Sequence, residues 1–213
     1  MKTSIFTLFA TFMLSFTGMT QDYDADLQSL LPRIGSAKTG ADYALVASQL
    51  NSLAQSEPGR WEASFWSAHC MVLQAFSENE TGEVDPILDQ AEIILDKLIA
   101  SNPDEAEFYV LMAMLDQARI SVNPMTRGMK YSGLANDNIN KAMKLDPDNP
   151  RAWYLKASNV LYTPMMFGGG KEKAKPIFET AAQKFDSYKI RSPYHPDWGK
   201  EQNAAKIKEC GLD

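Results

Sequence analysis

The sequence predicts an all-α protein built from repeated pairs of helices. Apolar and small residues recur at helical spacing along most of the chain, and clusters of Gly, Pro, Asn and Asp separate the periodic stretches. Almost no stretch alternates apolar and polar residues as a half-buried strand does. The chain has 213 residues, of which 45% are hydrophobic and 23% charged, so it is long and apolar enough to fold around a core.

One pattern of residues returns four times with the spacing i, i+4, i+7 and i+12. The first three positions lie on one face of a helix and are apolar or small. The last position is proline in the first three copies, and proline ends one helix and suits the first turn of the next. The copies are Val46, Leu50, Leu53 and Pro58; Ala91, Leu95, Leu98 and Pro103; Ala135, Ile139, Ala142 and Pro147; and Ala174, Phe178, Ala181 and Asp186.

A further helix follows each of the three prolines, and it carries aromatic residues near its start. These aromatic residues are Trp61, Phe65 and Trp66; Phe108 and Tyr109; and Trp153 and Tyr154. A small residue, Ala113 or Ala157, comes one turn later in two of these helices and permits close helix crossing, whereas His69 takes that position in the first. We therefore predict three to four helix pairs that bury a continuous core together.

These features resemble the tetratricopeptide repeat superfamily. The resemblance is strongest from Asp146 to Leu155, in the run DPDNPRAWYL, and it continues through Ala157 and the last periodic stripe. The Gly-rich phrase at 162–171 and the ending at 192–199 are similar to those of uncharacterised exported bacterial tetratricopeptide proteins. The resemblance implies a right-handed solenoid of helical hairpins that binds a partner and carries out no reaction.

The repeats are longer than is typical of that superfamily. Successive stripes begin 45, 44 and 39 residues apart, against about 34 in tetratricopeptide repeats. The sequence predicts that the excess forms lengthened connectors between the two helices of each pair, at 78–85, 124–132 and 164–170. Insertions in repeat proteins project from one face and often bind partners there.

The first residues have the features of a secretory signal peptide. Lys2 precedes an apolar stretch from Ile5 to Phe16, and acidic residues begin abruptly at Asp22. We predict a signal peptide at 1–20, a repeat domain at 21–186 and a capping segment with a short closing helix at 187–213. No cysteine lies near the predicted cleavage site, so the expected product is a soluble periplasmic or secreted protein rather than a lipoprotein, with no membrane segment after signal removal.

The charge is negative overall and unevenly distributed. The formal net charge is −6, which argues against a nucleic-acid partner. Residues 21–120 contain 17 acidic and 5 basic side chains, whereas residues 121–213 contain 10 and 15. Opposite charge on the two halves is compatible with self-association, and equally with two ordinary solvated surfaces.

The residues offer few groups for catalysis or metal binding. The chain has two histidines, and no His, Cys or carboxylate spacing fits a zinc or calcium site. We expect His69 to be a hydrogen-bonded structural histidine within its helix rather than a ligand, and His195 to be exposed in a Pro-rich turn. No nucleophile motif is present, so the sequence predicts no enzyme activity and no cofactor. Cys70 and Cys210 are expected to be unpaired thiols, with a disulfide between them as the alternative.

The expected function is that of a non-enzymatic exported scaffold or adaptor, which binds a protein or peptide through the groove and the connectors. The alternative is a small-ligand-binding accessory of a periplasmic solute transporter, like the T component of TRAP systems, to which the chain has a weaker similarity. The candidate partner-binding residues are Arg151, Tyr154, Ser158 and Tyr162 in the groove, and Met165, Met166, Phe167, Arg127 and Tyr131 in the connectors.

Overall fold

The structure is a computed structural model that describes residues 22–78 and 81–211. The described residues form helices and one short 3-10 turn, with no strand among them. The predicted signal peptide lies outside the described residues. The helices are α1 (Tyr23–Ser36), α2 (Gly40–Ser56), α3 (Glu62–Ser77), α4 (Thr81–Ser101), α5 (Ala106–Val122), α6 (Pro124–Leu145), α7 (Pro150–Tyr162), α8 (Lys171–Ser187) and α9 (Lys200–Gly211), and the 3-10 turn is Met165–Phe167.

Several helices begin where the sequence offers a capping side chain. The Thr39 hydroxyl accepts a hydrogen bond from the Asp42 amide, and the Asp42 carboxylate accepts one from the Thr39 amide, which forms a capping box at the start of α2. The carboxamides of Asn123 and Asn149 cap α6 and α7, and each is followed by a proline in the first turn. Side-chain oxygens thus satisfy amide groups that the helices leave unpaired.

The four periodic stripes form the buried face of α2, α4, α6 and α8. All twelve of their apolar and small positions are at most 8% exposed, so the predicted core face is confirmed. Each helix packs mainly against its neighbours in sequence. The helices form four consecutive pairs, which are α1 with α2, α3 with α4, α5 with α6, and α7 with α8. The first helices of consecutive pairs also contact one another, α1 with α3, α3 with α5 and α5 with α7. They form a layer of their own, called the inner layer below.

The prediction of lengthened connectors is wrong for two of the three pairs. Residues 124–132 belong to α6, and α5 is joined to α6 through Asn123 alone. Residues 81–85 belong to α4, so the extra length lengthens the second helices instead. The third connector, at 163–170, is present, and it uses positive φ at Gly168 (90°) and Gly170 (106°) to turn into α8. The predicted closing helix is α9, which packs on α8.

No helix in the described part of the chain is long and apolar enough to cross a membrane.

Candidate ligand-binding cavity

A cavity of about 810 Å³ lies against the inner layer, between α1 and the segment that follows α8. This segment, residues 188–199, is called the strap below. Part of the lining comes from α2, α3, α5 and α7, namely Tyr43, Trp66, His69, Leu73, Met114 and Tyr154. The rest of the lining comes from α1, namely Gln28, Leu31, Pro32, Ile34 and Gly35, and from the strap and α9, namely Pro193, Tyr194, Asp197, Trp198, Gly199, Lys200, Glu201 and Gln202.

Four aromatic side chains make a continuous surface along the cavity. The Trp198 ring stacks on the His69 imidazole with ring centroids 5.1 Å apart and planes 24° apart. Trp66 meets His69 edge to face at 5.3 Å, and Tyr154 meets Trp198 in the same way at 6.5 Å. We call Trp66, His69, Tyr154 and Trp198 the aromatic wall. Offset and edge-to-face arrangements of this kind are the ones that aromatic rings prefer.

His69 is buried without a hydrogen bond. Its side chain is 3% exposed, and neither ring nitrogen has a partner. Burial and, to a smaller extent, the positive charge of Arg151 lower the pKa of His69 to about 3, so the imidazole is neutral at pH 7. His69 stands where two other helix pairs have alanine, and its ring lines the cavity.

Long-range contacts hold the strap over the cavity. The Trp66 indole Nε1 donates a hydrogen bond to the Tyr194 carbonyl oxygen over 2.8 Å. Arg191 donates two hydrogen bonds to the Glu105 carboxylate over 3.0 and 3.2 Å. Gly199 has a φ of 104°, and a Cβ at this position would lie 2.9 Å from Phe185 Cζ. The strap therefore has fixed points on both sides of Trp198.

A buried ion pair lies beside the cavity. The Arg151 Nε donates to both carboxylate oxygens of Glu107 over 3.0 Å, and the Asn149 carboxamide donates to the same carboxylate. The Glu107 side chain is fully buried and that of Arg151 is 2% exposed. His195 lies next to this pair, with Nε2 4.0 Å from Glu105 Oε1. Glu107, Arg151, Asn149, Glu105 and Arg191 are called the polar network below.

Two predictions about single residues are corrected by this geometry. His195 was expected to be exposed, but it is 3% exposed because the strap folds back over α5 and its ring packs against Trp61. Arg151 was expected to face the groove, but its guanidinium turns inward to Glu107. Ser158 is buried as well, at 7% exposure.

The remaining candidates from the sequence fall in three places. Tyr154 lies in the aromatic wall of the cavity. Tyr162 is 67% exposed and accepts a hydrogen bond from Lys206. Met165, Met166 and Phe167 form the 3-10 turn and are 79%, 84% and 67% exposed.

Arg127 and Tyr131 lie on α6, away from the residues that line the cavity. Arg127 donates two hydrogen bonds to the Asp85 carboxylate, each 2.7 Å long, and this bidentate pair lowers the pKa of Asp85. Arg119, whose side chain is 8% exposed, also contacts Asp85 and lies 5.9 Å from the centre of the Tyr131 ring. These contacts tie α4, α5 and α6 together.

Several cavity residues were not predicted from the sequence to be binding residues, above all His69, Trp66 and Trp198. The signal that could have found His69 was a histidine in a position that the repeat reserves for a small residue. Within the described residues, no group of three or more His, Cys, Asp or Glu is arranged to hold a metal ion. Cys70 and Cys210 are buried free thiols in different parts of the core.

Comparison with known proteins gives an informative relative among solved structures. No protein-family model matches the chain, and no curated protein is significantly similar to it. Among solved structures, the HusA haemophore from Porphyromonas gingivalis is similar, with a TM-score of 0.81 and 30% sequence identity. The match covers 91% of this chain and 94% of the haemophore chain. Identity at this level over nearly the full length of both proteins shows that the chain belongs to the family of the HusA haemophore.

Proposed function

We propose that this protein is a non-enzymatic, exported haem-binding protein that holds a haem or a related porphyrin in the cavity. The observation that carries the proposal is the aromatic wall, which lines a cavity of about 810 Å³ and contains a buried imidazole without a partner. Membership of a family that includes a haemophore supports haem as the ligand. The cavity favours a small ligand, the sequence-based alternative, over a protein or peptide in the same place.

The chemistry of the cavity suits a flat, largely apolar macrocycle. Its volume is within the range of about 300–1,000 Å³ that is typical of small-molecule sites. Indole and phenol rings from α2, α3, α7 and the strap offer faces for stacking. Lys200 is the cation among the described lining residues. It pairs with Asp186 over 2.8 Å, but both side chains are largely exposed, so the ammonium can exchange this partner for a propionate. Iron in a haem accepts nitrogen, sulfur or oxygen ligands, and the lining offers His69, Met114 and tyrosines.

The tetratricopeptide-like, right-handed solenoid and the export by residues 1–20 are parts of the same proposal. Four helix pairs with an inner layer of first helices support the solenoid arrangement, which would place the cavity on the inner face. Export supports the function, because a protein that captures haem outside the cytoplasm has to leave it.

A protein partner at the connector turn is a separate, second proposal. The turn Met165–Phe167 exposes three large apolar side chains to solvent, and methionine side chains adapt to varied partner surfaces. This turn does not line the cavity, so a partner there and a ligand in the cavity are compatible.

Titration of the purified protein with haemin and with metal-free protoporphyrin tests the haem proposal. Tryptophan emission should be quenched to saturation by both, because Trp66 and Trp198 line the cavity. Gly35 also lines the cavity, and a Cβ at Gly35 meets no atom within 4 Å. The leucine side chain of the Gly35→Leu variant should therefore occupy part of the cavity without disturbing the core, and it should weaken binding of both porphyrins.

Gly133→Leu is the matched control for this variant. Gly133 is likewise exposed on a helix with open space at its Cβ, but it does not line the cavity, so binding should stay at the wild-type level. Failure of the wild-type protein to bind either porphyrin, or unchanged binding by Gly35→Leu, would refute the proposed site.

A further inference from the structure

The connector turn between α7 and α8 exposes a cluster of apolar side chains. Met165, Met166 and Phe167 are 79%, 84% and 67% exposed, and Tyr162 at the end of α7 is 67% exposed. We call these four residues the apolar tip. Apolar surface in contact with water costs free energy, and a contiguous exposed patch of it marks an interaction site.

The backbone of this turn is hydrogen-bonded internally. The amides of residues 167–170 donate to the carbonyl oxygens of Pro164, Met165 and Val160 over 2.8–3.3 Å. A Cβ at Gly169 would clash with the carbonyl oxygen of Thr163, so the turn packs tightly on the end of α7. Backbone groups that enter a hydrocarbon medium have to be satisfied internally, and these four amides meet that condition.

Lysine side chains on two helices approach the apolar tip. On α9, the Lys206 ammonium donates a hydrogen bond to the Tyr162 hydroxyl. On α8, the Lys173 Nζ lies 3.7 Å from the position of a Cβ at Gly168, and Lys171 is the first residue of the same helix. We call Lys171, Lys173 and Lys206 the basic rim.

The surroundings of the tip are positive in a protein that is negative overall. Residues 171–175 and 206–209 together contain five lysines and two glutamates, a formal charge of +3, whereas the whole chain carries −6. An anionic surface therefore attracts this end of the molecule and repels the rest, which orients the apolar tip toward that surface.

Beyond the haem proposal and independently of it, we propose that the apolar tip and the basic rim form a docking site for an anionic lipid surface. The methionine and phenylalanine side chains enter the boundary between headgroups and acyl chains, the Tyr162 ring lies at the level of the headgroups, and the lysines pair with lipid phosphates. A protein partner, proposed above for the same turn, is the competing occupant.

Sedimentation with protein-free vesicles separates these two occupants. At about 0.15 M salt, the wild-type protein should partition onto phosphatidylcholine vesicles with about one third phosphatidylglycerol roughly tenfold more strongly than onto pure phosphatidylcholine. Equal partitioning onto both kinds of vesicle would overturn the role of the basic rim. Partitioning onto neither would overturn the lipid inference and leave the turn to a protein.

Replacing Met165, Met166 and Phe167 together by serine tests the apolar tip. Partitioning onto the anionic vesicles should fall roughly tenfold or more, because the apolar area that enters the lipid is lost. The control is Leu45→Ser combined with Ile93→Ser, which removes side chains that are 55% and 56% exposed outside the tip and should leave partitioning unchanged. Wild-type partitioning by the tip variant would overturn the inference.

Replacing two lysines tests the basic rim. Each lysine near an anionic surface strengthens binding about fivefold, so Lys171→Gln combined with Lys173→Gln should weaken partitioning about 25-fold. Lys97→Gln combined with Lys144→Gln makes the same change in net charge at exposed positions of α4 and α6, and it should stay within about twofold of wild type. An equal loss in both pairs would mean that overall charge, and not the rim, attracts the lipid. Porphyrin titration of the same variants reports on the haem proposal separately.

Discussion

The polar network and the aromatic wall lie side by side under the strap, and they differ in how their buried polar groups are satisfied. In the network, the fully buried Glu107 carboxylate accepts hydrogen bonds from Arg151 and Asn149. In the wall, the ring nitrogens of His69 and the indole nitrogen of Trp198 have no partner. Arg191 and Gly199 of the strap help to hold both regions closed.

This contrast separates a structural cluster from the proposed binding site. Burying a charge costs free energy unless it is paired and hydrogen-bonded, and the network meets that condition. The wall carries no charge, but its neutral imidazole and indole nitrogens are buried without hydrogen bonds, which costs the protein stability. We conclude that the network holds α5, α7 and the strap together, while the wall lines the cavity in which we propose that the ligand binds.

The largest expected effect comes from breaking the network. Arg151→Leu leaves the Glu107 carboxylate buried without its main partner, and we expect the free energy of unfolding to fall by about 3–5 kcal/mol. Urea denaturation followed by circular dichroism measures this change. Asp186→Asn, which breaks the exposed Asp186–Lys200 pair, is the control and should cost about 0–1 kcal/mol.

A double variant sharpens the same comparison. Arg151→Leu combined with Glu107→Leu removes both charges, and it should recover much of the lost stability, since well-packed apolar residues can replace a buried ion pair. Equal stability of Arg151→Leu and wild type would show that the network does not hold α5, α7 and the strap together.

The second effect is a dependence of stability on pH that belongs to the wall. His69 in the unfolded chain binds a proton below about pH 6.5, whereas in the folded protein its pKa is about 3. Unfolding therefore takes up a proton between these values, and the contribution of His69 to stability falls as the pH falls. The loss is about 1.4 kcal/mol per pH unit, or about 2 kcal/mol between pH 6.5 and pH 5.

The difference in unfolding free energy between wild type and His69→Leu isolates this contribution. Burial raises the pKa of Asp116 to about 6, which acts in the opposite direction, but Asp116 is present in both proteins and its effect cancels. Wild type should therefore lose stability relative to the variant on acidification. A difference that stays constant from pH 7 to pH 5 would mean that His69 is not buried as the structure has it.

The third effect concerns the strap itself, at the glycine where the two regions meet. Gly199→Ala places a Cβ against Phe185 and 3.6 Å from Arg151 Cγ, at a φ of 104° that side chains rarely adopt. We expect a loss of about 1–2 kcal/mol and a lower Tm in calorimetry. Gly133→Ala, in an open helical position, should instead gain up to about 1 kcal/mol. Equal effects of the two substitutions would show that the strap does not need this backbone conformation.

Local features of the sequence predicted the helices well. Helical periodicity records which face is buried, and the twelve stripe positions are indeed in the core. Caps and prolines mark helix starts for reasons that act over a few residues, as at Asn149 and Pro150. The turn into α8 likewise depends on local chemistry, because Gly168 and Gly170 adopt positive φ, which glycine tolerates without steric cost.

The cavity could not be predicted in this way, because it depends on contacts between residues that are far apart in the chain. The hydrogen bond from Trp66 to Tyr194 joins residues 128 positions apart, and it determines where the strap runs. The burial of His195 and the inward turn of Arg151 follow from the same path. The spacing of these residues in the sequence does not indicate the path of the strap. The Pro-rich turn was therefore expected to be exposed, whereas it folds back as part of the strap over the cavity.

The smallest expected effect belongs to the connector turn, which tests whether the cavity alone binds the ligand. Replacing Met165, Met166 and Phe167 together by serine should change the free energy of unfolding by no more than about 0.5 kcal/mol, since all three side chains are largely exposed. Porphyrin affinity should also stay at the wild-type level, whereas Tyr154→Ala, in the aromatic wall, should weaken it. Loss of porphyrin binding in the turn variant would place the ligand outside the cavity. Retained porphyrin binding with loss of a protein partner from the same variant would assign the two activities to two surfaces.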